Sequence, residues 1–330
     1  MKTVTVGKND AGQRLDKFLT KSFRLLPVSM MYKYIRQKDI KCNGKRCTAA
    51  QRLTEGDVLT LYVKDEFLEP SAVPYDFLRA SRQLEIVYED ENLLLLNKPA
   101  GVLVHPDQGE YGDTLIGRVQ RYLYEKGEYR PEEEHAFAPA LVNRIDRNTA
   151  GIVMAAKDAE TLRILNEKLK NRELEKYYLC LVQGYLQPKE AVLHGYLTKD
   201  SEKNQVFVSD RPSESSRTIV TGYRVLEAHD GLSLLEVHLL TGRTHQIRAH
   251  MASIGHPLLG DGKYGKNADN RRAGVYRQAL CSYRLGFAFT APAGKLDYLN
   301  GREFRLETVP FAEEFRAGRF RGKAERPLRG

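Results

Sequence analysis

The sequence predicts an α+β protein: a large domain on a mixed, largely antiparallel sheet, preceded by a small basic α/β module. Three observations carry this. Beyond residue 83, strand-like segments mostly follow one another with only a few helical stretches between them, which argues against a doubly wound parallel sheet. Residues 12–63 form a compact basic unit of their own. Between the two runs Glu69-Pro70-Ser71-Ala72-Val73-Pro74, with two prolines and no period. The expected division is a module over 1–66, a linker over 67–82, the large domain over 83–310 and a basic tail over 311–330. At 330 residues, 42% of them hydrophobic, the chain is long enough for two cores.

In chain order, Leu15, Phe18 and Leu19 set one apolar helical face at i, i+3 and i+4. Pro27 ends the segment that follows, and Ser29 is placed to cap a second helix over 30–36. Lys33 and Arg36 share a face of that helix, and Lys38, Lys41, Lys45 and Arg46 continue the positive charge. Asn43-Gly44 is a tight hairpin turn, because both central positions of such a turn need positive φ. Residues 58–63 read as a strand. Cations gathered on one helix and one hairpin make Lys33, Arg36, Lys45 and Arg46 candidate nucleic-acid contacts; the alternative is that they merely solvate the module.

In the large domain, Ile86-Val87-Tyr88 and Leu93-Leu94-Leu95-Leu96 flank the acidic turn Glu89-Asp90-Glu91-Asn92, as in a hairpin. That turn reads as exposed. Leu115, Val119, Tyr122 and Leu123 mark a helix capped by Asp113 or Thr114. Residues 151–157 form a buried strand, and Leu162, Leu165 and Leu169 mark a helix opened near Asp158. Another strand covers 177–182. Residues 218–226 and 232–240 pair across His229-Asp230-Gly231. Thr244 is expected to cap a helix in which Ile247, Met251 and Ile254 face the core, with Gly255 as its stop. Residues 276–290 and 303–308 supply late strands. The tail carries Arg316, Arg319, Arg321, Lys323, Arg326 and Arg329 among glycines and is expected to be flexible.

The formal net charge of +9 points to a polyanionic partner, nucleic acid first and an anionic membrane surface as the competing reading. No apolar run approaches the roughly 20 residues of a spanning helix, and residues 1–8 lack a signal-peptide core. A cytoplasmic protein is expected, with no membrane association and no obligate protein partner. Cys42, Cys47, Cys180 and Cys281 form no Cys-x-x-Cys and read as reduced thiols rather than a zinc knuckle or redox pair.

Residues 143–151 read Asn-Arg-Ile-Asp-Arg-Asn-Thr-Ala-Gly. One carboxylate, Asp146, lies between Arg144 and Arg147 at the mouth of the buried strand. Such a carboxylate among cations favours the ionised form, and the same cations draw a polyanion toward it. The plain alternative is a turn with a surface ion pair. Taken singly, Tyr178 reads as an ordinary strand tyrosine and Arg248 as a surface cation on a helix. Lys98, before Pro99, reads as structural. His245, His250 and His256 have no acidic residue at a zinc-protease spacing, so no metal site is expected.

Four segments, in order, carry a resemblance. They are Val87-Tyr88-Glu89-Asp90-Glu91-Asn92-Leu93-Leu94-Leu95-Leu96-Asn97-Lys98-Pro99-Ala100-Gly101-Val102-Leu103-Val104-His105-Pro106; residues 143–151; Lys176-Tyr177-Tyr178-Leu179; and Leu240-Thr241-Gly242-Arg243-Thr244-His245-Gln246-Ile247-Arg248 with Gly255-His256-Pro257-Leu258-Leu259-Gly260-Asp261. The chain resembles bacterial pseudouridine synthases of the RluA/RluC/RluD type. Its N-terminal unit resembles the small RNA-binding module named after ribosomal protein S-four. The resemblance implies that Asp146 is the catalytic aspartate, that Tyr178 stacks on the target ring and that Arg248 pairs with the aspartate. It further implies that Arg144 enters the space left by the extruded base. Arg147, Lys176 and Arg243 are expected to contact RNA beside it. Most relatives have His where this chain has Asn143 and Ser where it has Ala150.

The implied activity is isomerisation of uridine to pseudouridine, at one or a few sites of large-subunit ribosomal RNA. No electrons are exchanged, so no redox cofactor is needed. The residues suit that chemistry: a carboxylate can act at an electron-poor sugar carbon, and an aromatic ledge can hold a detached base. Three readings stay open on the sequence: a transfer-RNA substrate, an RNA-binding paralogue without activity, and a nucleoside hydrolase using the same carboxylate with water.

Overall fold

The computed structural model describes residues 1–68, 75–107, 112–200, 202 and 205–322. The first unit begins earlier than its helices suggest. β1 (Lys2–Thr5) pairs antiparallel with β4 (Val58–Leu61), which pairs with β2 (Ile40–Cys42), which pairs with β3 (Lys45–Arg46). α1 (Leu15–Ser22) and α2 (Val28–Gln37) pack on this sheet, and Leu15, Phe18 and Leu19 are fully buried. The Asn43-Gly44 turn has φ of 52° and 71°, as its hairpin geometry demands. Ser29 does not cap α2. The helix starts one residue before it, at Val28, with Pro27 at the N-cap and no side-chain cap. A proline loses nothing there, since no intrahelical bond awaits an N–H at that end. Cys42 and Cys47 are buried and unpaired, as are Cys180 and Cys281.

Leu68 belongs to the core of the first unit, and Phe77 to a core of the second. Residues 69–74, the proline-bearing stretch, lie outside the described residues. The two units touch directly. Asn9 Nδ2 donates to Glu134 Oε1 at 2.7 Å, the Ala136 amide donates to Asp10 Oδ1 at 3.1 Å, and Arg163 Nη1 donates to the carbonyl of Ala11 at 2.6 Å.

The second unit is built on β5 (Ile86–Glu89), β6 (Leu93–Lys98), β7 (Ala140–Leu141), β8 (Ala150–Ala156), β9 (Leu174–Gln183), β10 (Glu190–Asp200), β11 (Gln205–Ser209), β12 (Arg217–His229), β13 (Leu232–Leu239), β14 (Leu280–Phe287) and β15 (Glu303–Arg305). Their order is β11-β10-β12-β13-β9-β14-β8-β6-β5, with β7 beside β8 and β15 beside β14. Among the described residues the β14–β8 pairing is the only parallel one between these strands, so the sheet is mixed and largely antiparallel, as expected. Strands β10 and β11 are additions to the sequence reading. In β10 exposed and less exposed residues alternate, with little continuous apolar run to mark it.

α3 (Leu115–Glu125) is capped by Thr114, whose Oγ1 accepts the Gly117 amide at 3.2 Å. α4 (Ala159–Lys170) is capped by Asp158, which accepts the Glu160 and Thr161 amides. Both caps supply acceptors to helix N–H groups that have no partner in the helix itself. α5 (Gln246–Ser253) stops before Gly255, whose φ of 87° suits that role as expected, but it departs from expectation at its start and in one packing position. Its N-cap is His245, not Thr244, and Ile254 is exposed rather than core-facing. The Gln246 side chain secures this end of the helix instead. Its Oε1 accepts the Arg243 amide at 3.1 Å, while Nε2 donates to the Val220 carbonyl of β12. α6 (Asn267–Arg272) follows.

The tail is not flexible over its first part. α7 (Pro310–Arg316) buries Ala312 and Phe315 with Leu179, Leu181, Leu232 and Leu234, and Phe320 joins the same core. Arg316 Nε reaches Glu227 at 2.6 Å. Burying a phenylalanine is worth about 1.5–3 kcal/mol, which outweighs the glycine-rich composition around it. Lys323, Arg326 and Arg329 lie outside the described residues. Among the described residues, no helix is long and apolar enough to cross a membrane.

Candidate active site

The β8–β14 junction fixes the loop that carries Asp146. At the start of β8 the chain runs beside Ser282 with no room for a side chain. Gly151 has φ of 111°, and a Cβ there would sit 2.2 Å from the Ser282 carbonyl oxygen. Residues 143–149, just before this point, are held from three sides. Asn143 Oδ1 accepts the Met154 amide at 2.8 Å, so this residue ties the loop to its own strand. Thr149 Oγ1 accepts from Gln278 Nε2 at 2.7 Å. From β6, the fully buried Lys98 donates to the Arg147 carbonyl at 2.8 Å and to the carbonyls of Val102 and Pro99. Burial pulls the Lys98 pKa down to about 7, against the opposing pull of the Asp146 charge. The structural reading of Lys98 from sequence is thus the geometry found.

Asp146, Tyr178 and Arg248 line one cleft, although they come from the 143–149 loop, β9 and α5. Arg248 Nη1 donates to Asp146 Oδ2 at 2.8 Å. The cation bonded to Asp146 is therefore 102 positions away in sequence, not the adjacent Arg144 or Arg147; Arg147 Nε instead donates to the Gly101 carbonyl. The Asp146 side chain is 24% exposed and Arg248 only 8%, so the carboxylate is reachable while its partner is shielded. Tyr178 is buried. That burial, with the nearby Asp146 charge, pushes its phenol up to about 12, so the hydroxyl keeps its proton at neutral pH.

The cleft encloses about 980 Å³, at the upper end of the range for small-ligand sites and roomy enough for one everted nucleotide. Its rim is cationic. Arg144, Arg147, Lys176 and Arg243 all line it, as do Lys170 and Arg172, which the sequence reading missed. His105 lies inside the cleft; burial and the Arg144 charge both lower its pKa. Lys33, Arg36, Lys45 and Arg46 are exposed on the first unit and none lines the cleft.

Two further residues complete the site. Asp261, fully buried, accepts from Arg248 Nε at 2.6 Å and Nη2 at 3.0 Å. Burial alone would raise its pKa, but the Arg248 hydrogen bonds and charge, with the Lys263 and Tyr264 amides, hold it below the usual value. His245 lines the cleft with Nε2 3.8 Å from Asp146 Oδ2 and Nδ1 2.9 Å from the Tyr264 hydroxyl. The other two histidines go elsewhere, His250 to Thr221 and His256 to the Gln183 carbonyl. Among the described residues no His, Cys, Asp and Glu grouping could hold a metal ion. The signal for Asp261 was present in Gly260-Asp261: Gly260 has φ of 79° and a Cβ there would meet the Arg277 carbonyl at 2.0 Å, which marks a tightly built turn.

Known proteins resemble this chain along most of its length. The profile described as RNA pseudouridylate synthase matches residues 92–253, and that of the S4 domain matches residues 13–59. The ribosomal large subunit pseudouridine synthase C of Vibrio cholerae is 34% identical over 92% of this chain and 94% of its own length. The uncharacterized RNA pseudouridine synthase YlyB of Bacillus subtilis is 30% identical over 86% of this chain and 88% of its own. Among solved structures, human RNA pseudouridylate synthase domain containing 4 aligns with a TM-score of 0.53 at 20% identity, covering 69% of this chain and 89% of its own, which speaks to the fold. A relative of this identity over nearly its whole length, together with the two matched profiles, leaves one conclusion: the chain belongs to the RNA pseudouridine synthase family and carries an S4 domain at its N-terminus.

Proposed function

We propose that this protein converts uridine to pseudouridine in large-subunit ribosomal RNA, with Asp146 as the reacting carboxylate. The observation that carries the reading is the Arg248–Asp146 pair, 2.8 Å apart, on the wall of an open cleft that also presents Tyr178. The ribosomal substrate rests on relatives such as the Vibrio cholerae protein, whose name states it. With that substrate, the place of action is the cytoplasm.

The reaction breaks the N1–C1′ bond, turns the uracil and forms a C5–C1′ bond. The C5 proton is lost and N1 gains one, so atoms and charge balance without any redox step. Turning the uridine out of folded RNA costs a few kcal/mol. Arg144, exposed at the rim, is suited to fill the vacancy. Tyr178 supplies a ledge for the detached base, a contact worth about 1–3 kcal/mol. Arg147, Lys176 and Arg243 hold flanking phosphates, and Lys33, Arg36, Lys45 and Arg46 add remote grip through the N-terminal unit. Such contacts weaken with salt, while the everted base supplies selectivity.

The test is a reverse-transcription map of pseudouridine in ribosomal RNA from cells with and without the gene, repeated with purified protein on ribosomal and transfer RNA. Loss of specific ribosomal pseudouridines in the deletion, restored by the purified protein, is expected. Free uracil as product, modification of transfer RNA alone, or no modification at all would overturn the reading.

A further inference from the structure

His245 is held in a backbone conformation that histidine seldom adopts, and it is held there beside Asp146. Its φ of 54° and ψ of 17° are left-handed. For a residue other than glycine this conformation carries strain, and such strain persists only where neighbours enforce it. Here the enforcing contacts are the Gln246 side chain on the Arg243 amide and the Tyr264 hydroxyl on the imidazole.

The Tyr264 hydroxyl also bears on which ring nitrogen carries the proton. It accepts the Val206 amide of β11 at 3.0 Å, and it lies 2.9 Å from His245 Nδ1. An amide N–H can only donate, so the phenol oxygen is the acceptor in that contact, which leaves its own proton free to go to Nδ1. Among the described residues Tyr264 Oη has these two hydrogen-bond partners. With the phenol donating, Nδ1 is an acceptor and the neutral ring carries its proton on Nε2. Nε2 lies 3.8 Å from Asp146 Oδ2, the oxygen already bonded by Arg248. At 3.8 Å the contact is a dipole against a charge rather than a hydrogen bond. Among the described residues, no hydrogen bond reaches Asp146 Oδ1.

We infer that His245, fixed as its Nε2–H tautomer by Tyr264, is a positioning residue that holds Asp146 by Oδ2 and leaves Oδ1 as the oxygen presented to the nucleotide. The inference rests on the reading of Asp146 as the reacting carboxylate. The charged groups around the imidazole are Asp146 from the loop, Arg248 from α5, and Asp261 and Lys263 from the segment after it. Burial is the first cause lowering the His245 pKa, with Arg248 and Lys263 adding to it and the two aspartates opposing, so the neutral ring prevails at neutral pH. Protonation would turn the dipole into a cation on the carboxylate and blunt it.

The experiment measures single-turnover tritium release from C5-labelled uridine in a large-subunit ribosomal RNA transcript, between about pH 5 and 9, with RNA affinity measured in parallel. Wild-type release must be seen first; its absence would sink the parent reading instead. With an active wild type, His245→Ala is expected to slow release roughly 10–100-fold at unchanged affinity. His245→Gln, whose amide nitrogen can occupy the place of Nε2, is expected to recover most of that. Tyr264→Phe keeps the ring over Arg248, 5.2 Å from its guanidinium carbon, but removes the proton donated to Nδ1. Losing that donor destabilises the neutral imidazole, so the acid limb of the profile moves to higher pH. An affinity loss matching the rate loss, a Gln variant no better than Ala, or an acid limb in Tyr264→Phe that stays put would each overturn the inference. If the Ala variant fails to fold, the Tyr264→Phe profile decides by itself.

Discussion

Asp146 and Asp261 share one guanidinium. Arg248 offers Nη1 to the first at 2.8 Å and both Nε and Nη2 to the second at 2.6 and 3.0 Å. A planar fork with fixed donor directions makes this possible; an ammonium group does not have the shape. Asp261 compensates the charge of a side chain that is almost wholly out of water, so that Arg248 reaches Asp146 already oriented.

Arg248→Lys is accordingly expected to cut the single-turnover rate about 100-fold, because one ammonium cannot serve both carboxylates. Asp261→Asn keeps shape but weakens the anchor. It should lower stability by about 3 kcal/mol and the rate about tenfold, read by denaturant titration and by tritium release. Wild-type behaviour in either variant would break the proposed chain of support.

Asp146→Asn removes the reacting charge and leaves the volume unchanged. The rate should drop by roughly 10³-fold or more, with RNA affinity within a few-fold of wild type. A variant that still modifies RNA would remove Asp146 from its proposed role.

Tyr178 is proposed to act as a ledge. Tyr178→Ala should weaken binding of a uridine-containing RNA by about 1–3 kcal/mol, whereas Tyr178→Phe, which keeps the ring, should bind within about twofold of wild type. Equal losses in both would show that stacking is not what the residue contributes.

Gly151→Ala places a methyl group 2.2 Å from the Ser282 carbonyl and 2.6 Å from its amide nitrogen, in a backbone at φ of 111°. The expected cost is about 3 kcal/mol or more in chemical denaturation, with activity lost through displacement of the 143–149 loop. An unperturbed variant would mean that β8 and β14 can separate freely.

The hairpin between β5 and β6 supplies a pH dependence. Burial pushes the Glu89 carboxyl up, but hydrogen bonds from Lys126, Lys157 and Tyr122 outweigh it and bring the pKa to about 2 from 4.5. Because the folded value lies below the unfolded one, this stabilisation is present above about pH 4.5 and is lost as pH falls toward 2. Glu89→Gln should cost on the order of 2–3 kcal/mol at pH 7 and flatten stability over that acid window. Stability measured at intervals from about pH 7 to 3 checks both. Composition alone makes this turn look exposed; Glu89 is half-buried because Lys157 comes in from the end of β8.

Much of the architecture is written in short-range patterns. The Asn43-Gly44 turn, the Thr114 and Asp158 caps, the His229-Asp230-Gly231 turn and the apolar run of β8 each depend on a few neighbouring residues, and each is found where those residues lie. Asp146 stands out for the same reason, as a single carboxylate between two arginines ahead of an apolar strand.

Other features depend on what packs against them, and composition misleads there. Glycine and arginine suggest a loose tail, yet Phe315 is completely buried and stacks 3.9 Å from His229. Thr244 looks like a cap, yet Gln246 reaches back because Val220 of β12 offers a carbonyl for its amide. By position the two arginines flanking Asp146 look like its partners, yet the bonding cation arrives from α5, as only the family resemblance implies. Local order follows from backbone geometry and hydrogen bonding within a turn or two, which any stretch of chain carries with it. Burial and charge pairing are relations between distant segments, and they come into being only when β8, β9, β14 and α5 assemble around a common cleft.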